Sequence, residues 1–270
     1  STLAAALAAA KLQIPIGHIE SGLRSFNRAM PEEINRIIVD HLSTVLFIHE
    51  ESAQENLLRE GIEESKIVLV GNTMIDSLKR TMNTKTLGRN ILDQLGIKVK
   101  RYILVTLHRP ENVDSATNLK TFIDTFEQLS EEHTIIWPVH PRTRERLNVF
   151  GYLDHINSMK NVLLTQPQGY TDFVNLMANA LMVLTDSGGI QEETTYLKIP
   201  CVTLRNETER PITVRQGTNR IAGVDHKSIM EAVLSVDPES YIDQKEHPPM
   251  WDGKASFRIV NTLSRLSTTI

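Results

Sequence analysis

Short apolar runs alternate along the chain with segments whose apolar positions recur every three or four residues. The runs predict buried β-strands, and the periodic segments predict amphipathic helices. Because strand and helix alternate, we expect parallel sheets covered by helices. Up to Gly71, the pattern predicts helices at 3–12, 31–41 and 52–60 and strands at 16–19, 45–48 and 67–70.

Three strands are few for a doubly wound domain, so we expect the first domain to be incomplete, with its opening strand–helix units missing. Residues 83–98 are polar and predict a linker with a short helix at 87–95. Six further strands are enough for a second, complete Rossmann-like domain. These strands are predicted at 102–107, 134–138, 162–164, 180–185, 200–204 and 218–222, with helices at 118–130, 226–236 and, after a proline pair, 255–266.

The composition fits a protein with a sizeable core. Of 270 residues, 40% are hydrophobic and 23% are charged, and the net charge of −4 argues against a general nucleic-acid or anionic-membrane binder. The single cysteine, Cys201, excludes an internal disulfide framework and a cysteine-rich metal site. No apolar run reaches the roughly 18 residues of a membrane span, and the Ala-rich start lacks the basic segment and cleavage site of a signal peptide. We therefore expect a soluble, cytoplasmic protein.

The strongest local motif is Asp186-Ser187-Gly188-Gly189, where a predicted strand is followed by a helix. Ligands of open α/β sheets bind at the carboxyl ends of strands. Two glycines allow close approach of the backbone, Ser187 offers a hydroxyl, and the free N–H groups of a helix start favour an anion. One turn further on, Glu193 is placed to accept from two ribose hydroxyls. We favour a phosphate site here over the alternative, a strand-to-helix turn capped by Ser187.

Other polar residues follow further strand ends of the second domain. Arg210 offers a fixed cation, although an exposed arginine is more often only solvated. His108 and Arg109 are placed to donate to a diphosphate, or to act as an acid, with a histidine satisfied inside its own loop as an equal alternative. His140 would add positive charge to the same edge, but a structural role is favoured for it. Phe173 is placed to stack on a base, although an aromatic in that position is usually part of the core.

In the first domain, carboxylates gather at a strand end and a helix start. Glu20 follows a strand, and Glu32 and Arg36 lie four residues apart on one face of the predicted helix. Such a helical pair usually has a small structural role, but two or three carboxylates in a cleft can serve as base and acid for moving a proton to and from carbon. The sequence contains no G-x-G-x-x-G, Walker, H-E-x-x-H or G-x-S-x-G motif, and its scattered histidines predict no metal site.

Five ordered motifs resemble one known family. HIESGLRS, MPEEINR, GNTMIDSL, LHRPENVD, and TDSGGIQEE followed by TERP are similar to the motifs of the non-hydrolysing UDP-N-acetylglucosamine 2-epimerases, and the similarity runs over the whole chain. The resemblance implies two Rossmann-like domains of the GT-B fold, with the nucleotide sugar in the cleft and a last helix that returns to the first domain. The domains would then be 1–86 together with 253–270, and 97–252.

The resemblance also implies a reaction, its partners and its residues. UDP-N-acetylglucosamine is epimerised at C2 by elimination and re-addition of UDP through 2-acetamidoglucal, without a metal or a redox cofactor. The enzyme is expected to be a cytoplasmic homodimer that binds neither nucleic acid nor membrane. The catalytic positions match Glu20, Glu32 and His108. The matching substrate-binding positions are Ser187, Gly188 and Gly189 for the diphosphate, Glu193 for the ribose, Gln168 and Phe173 for the uracil, and Arg36 and Arg210 for the phosphate and sugar region. Arg109 and His140 are added as substrate-binding candidates from their position at strand ends.

The chain also departs from the family pattern. Family members carry, before the segment matching Ser1, further residues with a glycine-rich turn, basic residues and a catalytic aspartate. We therefore expect a damaged first domain and little or no activity for this chain alone. Pro110 stands where bacterial relatives often have an arginine, in a segment linked to regulation by a second substrate molecule, which puts such activation in doubt.

Four alternatives stay open. An epimerase of a related sugar, such as a UDP-2,3-diacetamido-uronic acid, would be favoured by an arginine or lysine placed for the uronate. A hydrolysing 2-epimerase would release free N-acetylmannosamine. A GT-B glycosyltransferase would transfer the sugar to an acceptor, and an inactive UDP-binding module would be stabilised by UDP without turnover.

Overall fold

The structure, a computed structural model, describes residues 2–28, 30–83, 91–236 and 247–267. The chain divides into two compact units. The first comprises Ser1–Lys79, Glu209–Ile212 and His247–Ile270, and the second comprises Arg80–Thr208 and Thr213–Glu246. Each unit is built on a parallel sheet with helices, which confirms the predicted α/β, Rossmann-like class. None of the helices in these ranges has the length and hydropathy that a membrane-spanning segment needs.

The first unit contains a three-stranded parallel sheet in the order β1 (Gly17–Ile19), β2 (Val45–Ile48) and β3 (Ile67–Leu69). Its strands and helices alternate along the chain, which is the usual connection between parallel strands. The helices of this unit are α1 (Thr2–Lys11), α2 (Pro31–Leu42), α3 (Glu51–Arg59), the first part of α4 (Thr73–Met82) and α14 (Ala255–Ser267). A 3₁₀ turn at Glu64–Lys66 precedes β3.

The central strand β2 is apolar throughout because it is covered on both faces. Successive side chains of a strand point to opposite faces. Accordingly, Val45 and Phe47 pack with Ile259 of α14. Leu46 and Ile48, which point the other way, pack with the apolar side chains of α3. A continuous apolar run is what a buried parallel strand requires.

The segment that leads into α14 also belongs to the first unit. The Asp76 carboxylate accepts from the backbone N–H of Ala255 at 3.1 Å, at the start of α14. Trp251 is buried, and its Nε1 lies 3.4 Å from the carbonyl oxygen of His49. These contacts place residues 247–252 in the first unit, whereas the predicted division assigned them to the second domain.

Among its described residues, the second unit forms a parallel sheet of six strands in the order β6-β5-β4-β7-β8-β9. The strand order therefore reverses between β4 and β7, and ligands of doubly wound folds bind at the carboxyl ends of the strands at such a point. The strands are β4 (Tyr102–Thr106), β5 (Thr134–Pro138), β6 (Val162–Thr165), β7 (Met182–Thr185), β8 (Cys201–Thr203) and β9 (Asn219–Ile221).

Helices cover this sheet and form a large apolar core with it. At the centre of the core, the rings of Phe126 and Trp137 meet edge to face, with centroids 5.2 Å apart. The helices are α5 (Ile91–Leu95), α6 (Pro110–Val113), α7 (Ala116–Leu129), α8 (Pro141–Val149), α9 (Leu153–Ser158), α10 (Tyr170–Asn179), α11 (Gly188–Leu197), α12 (Pro211–Arg215), whose first two residues belong to the first unit, and α13 (His226–Leu234).

Some predicted segments extend beyond the described residues. Of the linker predicted at 83–98, residues 84–90 lie outside them, and the linker helix predicted at 87–95 is described only as α5. Residues 237–246 of the second predicted domain and residues 268–270 of the first predicted domain also lie outside them.

Candidate functional site

The carboxyl edge of the second unit's sheet is organised around a buried carboxylate. Asp186, directly after β7, accepts from the backbone N–H groups of His108 at 3.0 Å and Arg109 at 2.9 Å, and from the side-chain amide of Asn112 at 3.2 Å. Burial by itself would raise the pKa of Asp186, but the hydrogen bond and charge of His108, with these backbone N–H groups, bring it below its usual value. Asp186 is therefore an anionic anchor that ties the loop after β4 to the start of α11.

His108 is oriented by the same carboxylate. Its Nδ1 lies 3.0 Å from Asp186 Oδ1, and its side chain is 40% exposed. Because a carboxylate can only accept, Nδ1 donates, and Nε2 is the ring nitrogen available to a ligand. The ring centroid of His140, after β5, lies 5.9 Å from that of His108, and His140 Nδ1 accepts from the N–H of Arg142 at 3.2 Å. The structure thus brings the two candidate histidines together at one edge of the sheet.

The start of α11 offers backbone donors to an anion. Gly188 and Gly189 lie in the first turn of this helix, where N–H groups have no intrahelical partner and the helix dipole is positive. Ser187 is the N-cap residue, but its side chain makes no cap hydrogen bond. Its own N–H donates to Thr185 Oγ1 at 3.0 Å. The side-chain cap considered as the alternative is therefore not formed. The N–H groups of a helix start favour an anion.

One turn into α11, the buried Glu193 faces the first residue of α10. The Tyr170 hydroxyl donates to Glu193 Oε1 at 2.7 Å. Burial, opposed by this hydrogen bond and reinforced by the neighbouring Glu192 carboxylate, raises the pKa of Glu193 to about 7. Burial also raises the pKa of Tyr170. Glu193 is thus a carboxyl group that changes its charge near neutral pH.

The remaining candidates of the second unit lie around these groups. Gln168 comes just before α10, and its side-chain amide donates to the Gln166 carbonyl oxygen at 2.7 Å. Phe173 lies in the first turn of α10 and is half-buried, so part of its ring is accessible to a base. Arg109 is the N-cap residue of α6 and is also half-buried.

A second group of candidates lines a cavity in the first unit. The cavity has a volume of about 330 Å³, and Glu20, Glu32, Arg36 and Arg210 all line it. Arg210 contributes because Glu209–Ile212 is part of this unit. The other lining residues are Thr2, His18, Ile19, Leu23, Asn35 and Val39. Two carboxylates and two guanidinium groups therefore share one cavity.

The two carboxylates reach the cavity from different elements. Glu20 follows β1 with a left-handed backbone, at a φ of 63°, which costs a residue other than glycine about 1–3 kcal/mol. The Thr73 hydroxyl lies 3.5 Å from its Oε1. Glu32 lies in the first turn of α2, where a carboxylate complements the helix dipole, and its side chain is exposed.

Arg36 is more buried than a surface helix residue. Burial lowers the pKa of Arg36, and the positive charge of Arg210 acts in the same direction. Its Nη1 lies 3.4 Å from Glu33 Oε2. The ion pair on this helix is therefore with Glu33, three residues before Arg36, rather than the predicted pair with Glu32. Within the described ranges, no group of three or more His, Cys, Asp and Glu side chains is arranged to hold a metal ion.

Nearly the whole chain matches one protein family. The model of the UDP-N-acetylglucosamine 2-epimerase family matches residues 1–264. The chain belongs to this family. The match confirms the resemblance that the five ordered motifs indicated.

Relatives within the 2-epimerase family span nearly the whole chain. The UDP-N-acetylglucosamine 2-epimerase of Methanocaldococcus jannaschii is 43% identical over 98% of this chain and 72% of its own length. The UDP-2,3-diacetamido-2,3-dideoxy-D-glucuronate 2-epimerase of Pseudomonas aeruginosa is 38% identical over 98% of this chain and 72% of its own length. The crystal structure of the M. jannaschii enzyme in complex with UDP-GlcNAc and UDP matches this structure with a TM-score of 0.87, over 98% of this chain and 73% of that chain.

Two residues of the second unit, Asp186 and Tyr170, received no role of their own from the sequence, although Asp186 is the first residue of its strongest motif. Asp186 lies in one of the motifs that carry the resemblance, whereas Tyr170 lies outside them; Asp186 is bonded to His108, and Tyr170 is bonded to Glu193. Those partners are 78 and 23 residues away along the chain. The role of Asp186 was indicated in the sequence only by its position, because it is a carboxylate directly at the end of the apolar strand β7. Nothing local indicated the bond from Tyr170.

Proposed function

We propose that this chain interconverts UDP-N-acetylglucosamine and UDP-N-acetylmannosamine as a non-hydrolysing 2-epimerase. The observation that carries the proposal is the first-unit cavity, in which Glu20 and Glu32 meet Arg36 and Arg210. Epimerisation at a carbon needs a base on one face and an acid on the other, and two carboxylates can supply both. The family match over residues 1–264 supports this substrate.

In the proposed reaction, one carboxylate takes the proton from C2 while the bond between C1 and the β-phosphate oxygen breaks. UDP leaves with the bonding electron pair, and a double bond forms between C1 and C2 to give 2-acetamidoglucal. UDP then adds back to C1 as the other carboxylate delivers a proton to the opposite face of C2. No electrons are gained or lost overall. We assign Glu20 and Glu32 to these two roles without giving them an order.

The residues after β4 and β7 are proposed to stabilise the leaving diphosphate. The C2 proton is weakly acidic, so departure of UDP has to lower much of the barrier. The N–H groups of Gly188 and Gly189 and the dipole of α11 complement the charge that develops on the β-phosphate. When protonated, His108 donates from Nε2 to the departing oxygen while Asp186 holds its Nδ1. Ser187, Arg109, His140 and Arg210 add hydrogen bonds or positive charge to the diphosphate and sugar.

The nucleoside is proposed to bind beside α10 and α11. In its charged form, Glu193 accepts from the two ribose hydroxyls, and the Tyr170 hydroxyl holds one carboxylate oxygen at 2.7 Å. Gln168 and Phe173 lie by the uracil, where an amide can pair with the base edge and a ring can stack on its face.

One second candidate substrate is favoured by a specific observation. Arg36 and Arg210 line the same cavity as the carboxylates, and an arginine can bind a uronate carboxylate through two parallel hydrogen bonds. The P. aeruginosa relative that acts on UDP-2,3-diacetamido-2,3-dideoxy-D-glucuronate is 38% identical to this chain. A UDP-diacetamido-uronic acid is therefore the alternative substrate to test beside UDP-N-acetylglucosamine.

The proposal is tested by proton NMR of each nucleotide sugar incubated in D₂O with the protein, in a chain that also carries the N-terminal residues described for family members. We expect loss of the C2 proton signal of UDP-N-acetylglucosamine and growth of a manno isomer that is still bonded to UDP. Glu20→Gln and Glu32→Gln should each abolish both changes. Free N-acetylmannosamine would instead support a hydrolysing enzyme, and transfer to an added acceptor would support a glycosyltransferase. Stabilisation by UDP without any C2 exchange, with either sugar, would contradict an epimerase.

We further propose that the enzyme works as a cytoplasmic homodimer. The support is the family resemblance, which implies this assembly. Light scattering during size-exclusion chromatography should give twice the mass of one chain, and a mass of one chain would contradict the proposal.

A further inference from the structure

The turn that carries Glu20 has an unusual backbone. Glu20 has a φ of 63°, and Gly22, two residues later, has a φ of 78°. A Cβ atom at Gly22 would lie 2.5 Å from the carbonyl oxygen of Ala53, so the turn passes very close to α3. A residue other than glycine keeps a left-handed conformation only where its surroundings over-determine it. Some neighbouring group must therefore hold this turn.

Asp40 contacts the turn on both sides of Glu20. It lies on α2 and is fully buried. Its Oδ1 accepts from His18 Nδ1 at 2.6 Å, and its Oδ2 accepts from the Gly22 N–H at 3.1 Å. His18 comes two residues before Glu20 and Gly22 two residues after it. One carboxylate thus brackets the candidate catalytic residue.

The charge of Asp40 is balanced inside the fold by Arg24. Arg24 Nη2 lies 2.8 Å from Asp40 Oδ2, and the arginine side chain is 1% exposed. Arg24 also donates to the Glu60 carboxylate through Nε and Nη2, at 2.7 and 2.6 Å. Burial by itself would lower the pKa of Arg24, but Glu60 and Asp40 bring it above its usual value. The ion pair between Arg24 and Asp40 is buried, and Asp40 bonds to residues on both sides of Glu20.

A second carboxylate of α2 holds the next part of the same loop. Glu33 accepts from the backbone N–H groups of Ser25 at 3.0 Å and Phe26 at 2.9 Å. It lies seven residues before Asp40, which places both on the same face of the helix, two turns apart. Glu32 is the residue next to Glu33. Helix α2 therefore carries one candidate catalytic carboxylate directly and holds the loop of the other at two points.

We propose that Asp40 is a positioning residue that fixes Glu20 relative to Glu32 in the first-unit cavity. This inference rests on the proposed function, because the relative position matters only if both carboxylates act on one carbon of the sugar. The bond from His18 to Asp40 also fixes the imidazole that lines the cavity beside Glu20. A misplacement of about 1 Å in such a site can cost about 10²-fold in rate.

The test compares Asp40→Asn with a matched control, Asp76→Asn. Asp76 is a carboxylate of the same unit that also accepts backbone N–H bonds, from Ala255 and Ser256, and it does not line the cavity. We expect Asp40→Asn to lower kcat for epimerisation by about 10–100-fold. KM should stay unchanged, because the residues proposed to bind UDP are untouched. Asp76→Asn should leave both parameters unchanged.

Hydrogen–deuterium exchange provides a readout that does not depend on activity. In Asp40→Asn, the amides of residues 18–25 should exchange faster than in the wild type, while in Asp76→Asn the faster exchange should appear at the start of α14. If Asp40→Asn does not fold, Asp40→Glu keeps the charge but adds one methylene. It should fold and show the same loss of kcat at unchanged KM.

The outcomes separate this inference from the proposed function. Wild-type exchange at residues 18–25 in both Asp40 variants overturns the positioning role, whatever the activity. An equal fall of kcat in Asp40→Asn and Asp76→Asn also overturns it, because the effect would then be loss of stability alone. Absence of C2 exchange in the wild type contradicts the proposed function instead, and the exchange at residues 18–25 still decides whether Asp40 holds the turn.

Discussion

Glu193 is a single side chain whose charge near neutral pH should control nucleoside binding. Its pKa is raised to about 7, whereas the proposed contact with the ribose hydroxyls uses the charged form. Binding at pH 6 must therefore first remove a proton, so the affinity for uridine should rise by up to about tenfold between pH 6 and pH 8. Uridine is the probe because it carries no phosphate that titrates in this range.

The affinity is measured by NMR titration at both pH values. Glu193→Gln, which cannot ionise, should show no change with pH. A wild-type affinity that is the same at pH 6 and pH 8 would contradict the proposed contact.

The same carboxyl group should make the unliganded protein less stable as the pH rises. Its pKa is about 7 in the folded protein against 4.5 for an ordinary glutamate. Between these values the folded state holds the proton and the unfolded state has lost it, so the free energy of unfolding falls across this window and stays lower above it. Glu193→Gln should exceed the wild type in stability at pH 8 by up to about 3 kcal/mol, and by much less at pH 5.

Urea denaturation at the two pH values measures this difference. The exposed Glu131→Gln serves as the control and should show no such dependence. A Glu193→Gln advantage that is equal at both pH values would mean that the charge of Glu193 is not the cause.

Single residues were predictable from the sequence where their own position indicated a role. Glu20 and Glu32 stand at a strand end and a helix start, and the structure places both in one cavity. Asp40 could not be found in this way, because it lies in the middle of α2 and its bonds to His18 and Gly22 span 22 and 18 residues. Hydrogen bonds between residues so far apart form only when the chain folds, so no local sequence pattern predicts them.

At the scale of elements, the apolar pattern of a segment determined whether its strand or helix could be predicted. The strands β2 and β5 were predicted with the same bounds as in the structure, because each is an apolar run between polar residues. Helix α4, which follows Gly71, was not predicted. Its start was indicated by Asn72, whose side-chain oxygen accepts from the N–H of Met74 at 2.8 Å.

The packing of α14 should stabilise the first unit and have no effect on the stability of the second unit. Ile259 is buried on this helix against Val45 and Phe47 of β2. Ile259→Ala removes that contact and leaves a cavity, which should destabilise the first unit by about 2–5 kcal/mol. Val260→Ala, an exposed position on the same helix, is the matched control.

Hydrogen–deuterium exchange at β2 measures this effect. The amides of β2 should exchange faster in Ile259→Ala and stay unchanged in Val260→Ala, while β4 of the second unit keeps its wild-type exchange. Faster exchange in β4 but not in β2 would show that α14 does not stabilise the unit to which the structure assigns it.

At the scale of the whole molecule, we compare two places on the second unit that can attract the phosphates of a nucleotide. One is the carboxyl edge of the sheet, at Ser187–Gly189. The other is a cavity of about 390 Å³ lined by Lys98, Arg101, Lys160 and the first residues of β4, β5 and β6. Net charge does not distinguish them, because both attract phosphate. The difference is that only the carboxyl edge combines a helix start with the buried carboxyl group of Glu193.

UDP should therefore protect the carboxyl edge and leave the opposite edge unchanged. At about 100 times its Kd, UDP should stabilise the protein by about 2.7 kcal/mol. In hydrogen–deuterium exchange, the slowed amides should lie at residues 108–112, 168–173 and 186–193. Uridine should protect 168–173 and 193 but not 186–189, because it has no diphosphate for the start of α11. Protection at residues 96–101 and 160–163 instead would place the nucleotide at the lysine-lined cavity and would contradict the assignment of Ser187, Gly188 and Gly189.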